Sequence, residues 1–214
     1  MMKVYPDIRQ IGPFEAVILA DGEQPEHDIP MDLLNTAPYI CCCDSAILRC
    51  DWADAVVGDG DSIPSWAREE YEDIFYQEDE QDDNDLTKAT RFCLNKGFRR
   101  LVYLGATGRR EDHTLGNISL LVRYAREMGA EPLMATNYGW FVVAQGDARF
   151  ESFAGQQVSI FNFGCTRIEQ QGLVYDCHPF SQWWQGTLNE ATGSSFTLQA
   201  DGFYLVFRTY ESKH

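Results

Sequence analysis

The 214-residue chain has no apolar run near the roughly 20 residues that a membrane-spanning helix requires. Its opening, MMKVYPDIRQ, lacks the apolar core of a secretory leader, so a cytoplasmic protein without membrane contact is expected. Positive charge is scarce: 17 Lys and Arg stand against 33 Asp and Glu, a formal net charge of −16. That balance argues against sequence-independent nucleic-acid binding, in which Lys and Arg neutralise phosphates. An anionic ligand therefore needs a metal ion or a local cluster of cations. No CxxC pair exists among the seven cysteines. Their odd number, and the consecutive Cys41, Cys42 and Cys43 inside an apolar run, fit free thiols better than a disulfide framework or a metal site. The phosphate-loop pattern GxxxxGK[ST] is absent, and there is no internal repeat or low-complexity linker.

With 44% hydrophobic and 13% aromatic residues the chain can build a real core, in one large domain or two small ones. Over residues 1–145 short apolar runs alternate with helical stretches. Strands are expected at Phe14 to Ala20, Tyr39 to Cys43, Ala55 to Val57, Leu101 to Leu104 and Leu133 to Thr136. Helical segments are expected at Met31 to Thr36, Ser45 to Cys50 and Ser65 to Glu72, the last opened by Pro64. Leu86, Ala89, Thr90, Cys93 and Leu94 recur at helical spacing until Gly97. Leu115, Ile118, Leu121, Val122, Ala125 and Met128 do the same until Gly129. Such alternation implies an α/β domain with a mostly parallel, doubly wound sheet. From about Phe141 the texture changes to strands alone: FVVAQ, ARFESF, QVSIFNF, GLVYDC, SFTLQA and FYLVFRTY. Residues 146–214 thus read as an all-β antiparallel, sandwich-like domain.

The chemistry gathers at the strand ends, where open α/β sheets bind ligands. The segment GDGDS, residues 58–62, follows Ala55 to Val57 and sets Asp59 and Asp61 two apart, on one side of an extended chain. Such a pair suits Mg²⁺, which one or two carboxylates hold together with substrate phosphates; the same residues also make ordinary turns. Asp21 and Gly22 follow the first strand, Asp44 and Ser45 the second, and Gly105 to Gly108 a later one, so several acids converge on one edge. The run EDEQDDNDLTKA, residues 78–89, reads mostly as a solvated charge run. Within it Asp85 and Lys88 share a face of a helix's first turn, placed either to serve a metal and a phosphate or as a cap and a surface Lys. Residues 105–117, GATGRREDHTLGN, form a glycine-containing loop with two arginines that leads into a helix, which suits phosphate. Asp112 is either a cap or a functional acid, and His113 and Asn117 share one face of that helix.

Together these motifs resemble the thiamine pyrophosphokinase family. GDxDS is matched by Gly58, Asp59, Asp61 and Ser62, and DxTDxxKA by Asp82, Asn84, Asp85, Lys88 and Ala89. The pattern GxxGGRxDHxxxN is matched by Gly105, Gly108, Arg110, Asp112, His113 and Asn117. An opening NG turn resembles Asp21 and Gly22, and a DGGA-like turn resembles Asp44, Ser45 and Ala46. GLxY appears as Gly172, Leu173 and Tyr175, and a late SN element as Asn189. The chain departs from the pattern at Ser45 and Arg109, which replace glycines, at Asn84, which replaces Thr, and at Leu188, which replaces Ser.

The resemblance implies transfer of a pyrophosphoryl group from ATP to the hydroxyl of thiamine, releasing AMP. It implies Mg²⁺ on Asp44, Asp59, Asp61 and Asp85, directly or through water. Lys88 and Arg110 would meet the transferring phosphates, with Asp85 or Asp112 taking the hydroxyl proton. It implies a nucleotide site built from Asp21, Gly22, Asp44, Ser45, Gly105, Thr107, Gly108, Arg110, His113 and Asn117. Thiamine contacts would come from Asp82, Asp85, Asp112, Tyr175 and Asn189, with Trp183 and Trp184 as nearby aromatic surface, at a homodimer interface. The negative surface would favour approach of a cationic substrate. The residues alone leave open a Mg²⁺-dependent phosphotransferase with another acceptor, and a nucleotide- or thiamine-binding protein with altered catalysis.

Overall fold

The computed structural model describes residues 2–78, 80 and 82–213. In chain order the strands are β1 (Lys3–Tyr5), β2 (Ala16–Leu19), β3 (Ile40–Cys43), β4 (Ala55–Gly58), β5 (Phe75–Gln77), β6 (Arg100–Leu104) and β7 (Glu131–Ala135). They continue with β8 (Gly139–Gln145), β9 (Ala148–Glu151), β10 (Gln156–Phe163), β11 (Ile168–Gln171), β12 (Asn189–Glu190), β13 (Ser195–Ala200) and β14 (Phe203–Ser212). The α-helices are α1 (Asp28–Asn35), α2 (Ser65–Glu70), α3 (Asp85–Asn95) and α4 (Glu111–Glu127). The chain divides into two compact units, Pro13–Asn137 and a second made of Met1–Gly12 with Tyr138–His214. Strand β8 and the first residues of the chain thus group with the antiparallel strands, whereas the sequence reading placed them in the α/β domain.

In the α/β unit the strand order is β7-β6-β2-β3-β4-β5, with every pairing parallel. Strands β2 (AVIL), β3 (ICCC) and β4 (AVVG) are buried at every position, the continuous apolar pattern that helix-covered parallel strands require. Helix α3 packs over β2, β3 and β4, and α4 over β7. Hydroxyl pairs fix these helices: Thr87 Oγ1 lies 2.8 Å from the Tyr124 hydroxyl, and Thr90 Oγ1 lies 3.0 Å from that of Tyr103. From β2 the chain builds outward through β3, β4 and β5, then returns to lay β6 on the other side of β2. The loops after β2 and β6 therefore diverge, the crevice where open sheets bind ligands.

The β unit has two sheets, β1-β9-β13-β11 and β12-β10-β14-β8. All their pairings are antiparallel except β1 with β9. Alternate residues of β10 and β13 point inward: Val158, Ile160, Phe196 and Leu198 are buried. The sheets face each other where the Phe150 ring of β9 meets that of Tyr204 of β14, with centroids 6.4 Å apart.

Three expectations need correction. GLVYDC is not a strand: β11 ends at Gln171, and Leu173 makes only an isolated bridge to Ala191. Gly172 turns the chain at φ +93°, where a Cβ would come within 2.8 Å of the Ser195 carbonyl oxygen. Strands β1 and β5, three residues each, carried no readable alternation. The acidic run is not simply solvated either. Glu78 and Glu80 bind Arg91 at 3.2 and 3.0 Å, and Asp83 binds Arg91 and, at 2.6 Å, Arg123. The Arg123 bond chiefly holds the Asp83 carboxyl below the usual range. Asp79 and Gln81 of this run lie outside the described residues. All seven cysteines are free.

Candidate active site

A cleft of about 320 Å³ opens at the carboxyl ends of β2, β3 and β6. Its lining includes Asp21 and Gly22 after β2, Asp44 and Ser45 after β3, and Gly105, Thr107 and Arg109 after β6. Helix termini supply Asn84 and Asp85 at the start of α3, and Arg110, His113, Thr114 and Asn117 along one face of α4, and the GDGDS turn supplies Ser62.

Gly22 lets the two diverging loops touch. Its N–H donates to the Gly105 carbonyl at 2.6 Å and the Glu23 N–H to that of Thr107 at 2.7 Å. A Cβ on Gly22 would run into both of those oxygens.

Asp44 is the most unusual acid of the cleft. It is 4% exposed and holds a left-handed backbone at φ +44°. Its Oδ2 accepts the Ser62 N–H at 3.2 Å, while Oδ1 is buried with no partner. Burial, foremost, pushes its carboxyl above the usual range, and the charges of Asp85 and Asp59 add to this; the Ser62 N–H works the other way. Room for Asp44 comes from Gly58, where a Cβ would sit 2.9 Å from Asp44 Cβ.

Asp59 and Asp61 lie in a turn rather than on one side of an extended strand. The Asp61 N–H donates to Asp59 Oδ1 at 3.0 Å across Gly60, whose φ is +79°. Arg68 pins the turn by donating Nε to the Gly60 carbonyl at 3.0 Å. Asp59 is half-buried and near enough to act on Asp44, whereas Asp61 is exposed and neither lines the cleft. Among the described residues no three His, Cys, Asp or Glu side chains are grouped so as to hold an ion by themselves.

Helix α3 begins with Asn84, which caps it by accepting the Thr87 N–H at 3.0 Å. Its amide donates to Asn117 Oδ1 at 2.9 Å, and Asn117 in turn donates to the Ala106 carbonyl at 2.8 Å. This chain of bonds ties both helix starts to the loop after β6. Lys88 is buried at 2% exposure, not a surface Lys, and its Nζ lies 3.3 Å from Asp85 Oδ1.

The two arginines of the loop differ. Arg110 binds the Asp112 carboxylate twice, at 3.1 and 2.6 Å, on the exposed side of α4. That contact is the main cause of an Asp112 pKa held down at about 2. Arg109 turns to Asp21 Oδ2 at 2.9 Å. Ser45 Oγ shares that oxygen at 3.2 Å, and Arg49 Nε takes Oδ1 at 3.0 Å. Cys43 also borders the cleft, but burial raises its thiol well above the usual value, which leaves it inert.

The structure thus brings Asp21, Gly22, Asp44, Ser45, Asp85, Gly105, Thr107, Arg110, His113 and Asn117 around one cavity. It does not bring Asp59, Asp61, Lys88, Gly108, Asp112 or Asp82 to the lining. Gly108 takes φ +89° beside Glu23, and Asp82 is exposed. Tyr175 and Asn189 belong to the β unit. There Asn189 is buried and spends its amide on backbone: it accepts from Tyr175 N–H at 3.0 Å and donates to the Tyr175 carbonyl at 2.8 Å. The Tyr175 side chain is left 64% exposed, near in sequence to Val174 at 50%. Leu188 at 70% and Trp184 at 70% add to the exposed apolar surface. The sequence reading missed Arg49, which pairs with the Asp21 carboxylate 28 residues away, and Arg68, which bonds a backbone carbonyl; neither contact leaves a spacing signal.

Residues 31–130 match the family model described as thiamin pyrophosphokinase, catalytic domain, and residues 139–207 match thiamin pyrophosphokinase, substrate-binding domain. No curated protein matches the sequence. Among solved structures the chain is similar to thiamine pyrophosphokinase from Bacillus subtilis, with 20% identity, TM-score 0.72, and coverage of 91% of this chain and 99% of that one. It is also similar to yeast thiamin pyrophosphokinase, at 14% identity, TM-score 0.77 and coverage of 97% and 90%. The Candida albicans enzyme gives 16% identity, TM-score 0.75 and coverage of 98% and 93%. At such identities these likenesses establish the fold.

Proposed function

The chain belongs to the thiamin pyrophosphokinase family, and from that membership we propose which of its residues carry the reaction. The enzyme is a thiamine diphosphokinase: it moves the pyrophosphoryl group of ATP to the hydroxyl of thiamine, giving thiamine diphosphate and AMP. The nucleotide's phosphates occupy the cleft of the α/β unit, over the Gly105 to Arg110 loop and the start of α4, where backbone N–H groups and cations meet anions.

The observation that carries this reading is the buried, partnerless Oδ1 of Asp44, set among the like charges of Asp85 and Asp59. Such an oxygen is costly to bury unless a cation meets it. Asp44 and Asp85 would hold Mg²⁺, with Asp59 and Asp61 acting through water. Among the described residues the acids that line the cleft are few, and Mg²⁺ is commonly held by one or two carboxylates together with substrate phosphates. When bound, Mg²⁺ supplies neutralisation of the phosphate charge that builds during transfer.

The other steps belong to the chain's own side chains. Lys88, buried beneath Asp85, fixes that carboxylate's position. Asp85 takes the thiamine hydroxyl proton, since it lines the cleft, whereas Asp112 lies outside it. To meet the transferring phosphates, Arg110 exchanges Asp112 for phosphate oxygens, the geometry its planar fork matches. In the β unit, Tyr175 and Trp184 offer exposed aromatic faces to the thiamine cation, and Asn189 sets the Tyr175 backbone. The exposed apolar groups Val174, Tyr175, Trp184 and Leu188 support a homodimer. Free thiols support the reducing cytoplasm, and among the described residues no helix is long and apolar enough to cross a membrane.

Protein incubated with Mg²⁺, ATP and thiamine should yield AMP and thiamine diphosphate in equal amounts, and chelation should stop the reaction. ADP as product, or no turnover, would overturn the reading. Light scattering at working concentration tests the dimer; a monomer that turns over would remove it.

A further inference from the structure

Arg109, where this chain departs from its family's pattern, meets Asp21 of the opening turn beside the cleft. Asp21 stands where the opening turn resembles an NG pair, and Arg109 stands where the loop's second glycine is expected. Their side chains are 2.9 Å apart. Asp21 is fully engaged: Ser45 and Arg109 share Oδ2, and Arg49 takes Oδ1. A carboxylate held in this way is an anchor for neighbouring groups rather than a ligand contact. Arg109 spends one of its five N–H donors on that anchor. It borders the cleft and is 46% exposed. Arg110, by contrast, is bound twice to Asp112 on the outer side of α4.

We propose that Arg109, anchored by Asp21, is a second phosphate-binding residue for the nucleotide. This rests on the reading of the cleft as the ATP site. The anchor matters because a guanidinium fork already held in orientation loses less freedom when it meets a phosphate. Asp21, Ser45 and Arg49 are then positioning residues, joining the ends of β2, β3 and β6 behind the cation. The departure from glycine at 109 thereby adds a charge at the loop, and Asp21 supplies the carboxylate that aims it.

The test is calorimetric titration of MgATP, and of inorganic tripolyphosphate with Mg²⁺, into the parent and into Arg109→Gln, Arg109→Gly and Asp21→Asn/Arg109→Gln. Thermal unfolding without ligand is measured alongside. Loss of a charged hydrogen bond predicts about 10- to 100-fold weaker binding of both ligands in each single variant, with an unchanged melting temperature. The double variant should stay as weak as Arg109→Gln. Recovery of parent affinity in the double variant would mean that Arg109 only neutralises Asp21, and the proposal would fall. Parent-like affinity in Arg109→Gln would overturn it as well, and that variant carries the test if the glycine form does not fold. AMP release by the parent is read separately, so binding that depends on Arg109 without AMP formation sinks the enzymatic reading alone.

Discussion

The α/β unit buries Asp44 and, paired with Asp85, Lys88, and the β unit buries Arg208; Asp44 and Arg208 are treated in opposite ways. Arg208 is fully buried and reaches three backbone carbonyls, those of Tyr5, Pro6 and Glu151, at 3.4, 3.1 and 2.6 Å, while its Nε has no hydrogen-bond partner and lies among aromatic rings rather than like charges. Its guanidinium lies 4.6 Å from the Trp140 ring and 5.6 Å from that of Phe150. Burial lowers its pKa to about 10, still well above neutral pH. Asp44 has one oxygen bonded, one orphaned, and acids for neighbours. A buried charge met by carbonyls and aromatic faces is a strut, here joining the first strand to the rest of its unit. A buried charge left among like charges at a strand end is instead suited to meet a cation, the role proposed for Asp44. The contrast is in what surrounds the group, because both are buried.

The largest effect should come from Arg208→Ala. It leaves three carbonyls unpaired and a cavity between the sheets, so unfolding by denaturant should show a loss of about 3–5 kcal/mol. Turnover per folded molecule should change little; a collapse of turnover at full stability would erase the distinction drawn between the two charges. Asp44→Asn should do the reverse, lowering turnover about 100- to 1,000-fold. Its melting temperature should hold or rise, since Asn removes the repelling charge and tolerates a left-handed backbone. A fall in melting temperature at unchanged turnover would mark Asp44 as a strut too.

A smaller change is expected from Gly58→Ala, which places a Cβ 2.9 Å from that of Asp44. Displacing the carboxylate should weaken MgATP binding by about tenfold, and calorimetry showing parent affinity would detach Asp44 from the nucleotide.

The smallest effects concern exposed acids in the two units. Arg110 holds Asp112 at about 2, and the Thr166 hydroxyl with the Arg167 N–H holds Asp201 at about 2. Both folded values lie below the unfolded value near 3.9. Each acid therefore contributes stability that is complete above about pH 4 and is lost as pH falls toward 2. Carboxyl titration by NMR should place both midpoints near 2 without ATP. Addition of MgATP should raise only that of Asp112 as Arg110 leaves it, and an unmoved Asp112 would keep Arg110 off the phosphates.

The two units were also unequally legible. In the α/β unit, periodicity and punctuation located β2, β3, β4, β6 and β7 and the helices, because buried parallel strands are uniformly apolar and helices repeat at 3.6 residues. The cleft residues at the ends of β2, β3 and β6 followed from that alternation. In the β unit five of the eight strands were readable, β8, β9, β10, β13 and β14; the short β1, β11 and β12 were not, and Gly172 turned an apolar segment that looked like a strand. Asn189, expected at a ligand, proved to hold backbone.

By itself the sequence determined the class of each unit, the loops that carry the chemistry and the family pattern, since all of these are local: an apolar period, a glycine, an Asp after a strand. It could not decide that Asp59 and Asp61 fold into a turn, that Asp44 would keep a bare oxygen, or that Arg109 and Asp21 would meet. The turn closes through local bonds, Asp61 to Asp59 and Arg68 to Gly60, but the other two outcomes depend on groups 18 and 88 residues apart being packed together and on how much water each then loses. Burial and partnership are properties of the tertiary structure, and they separate a carboxylate that binds from one that only turns the chain.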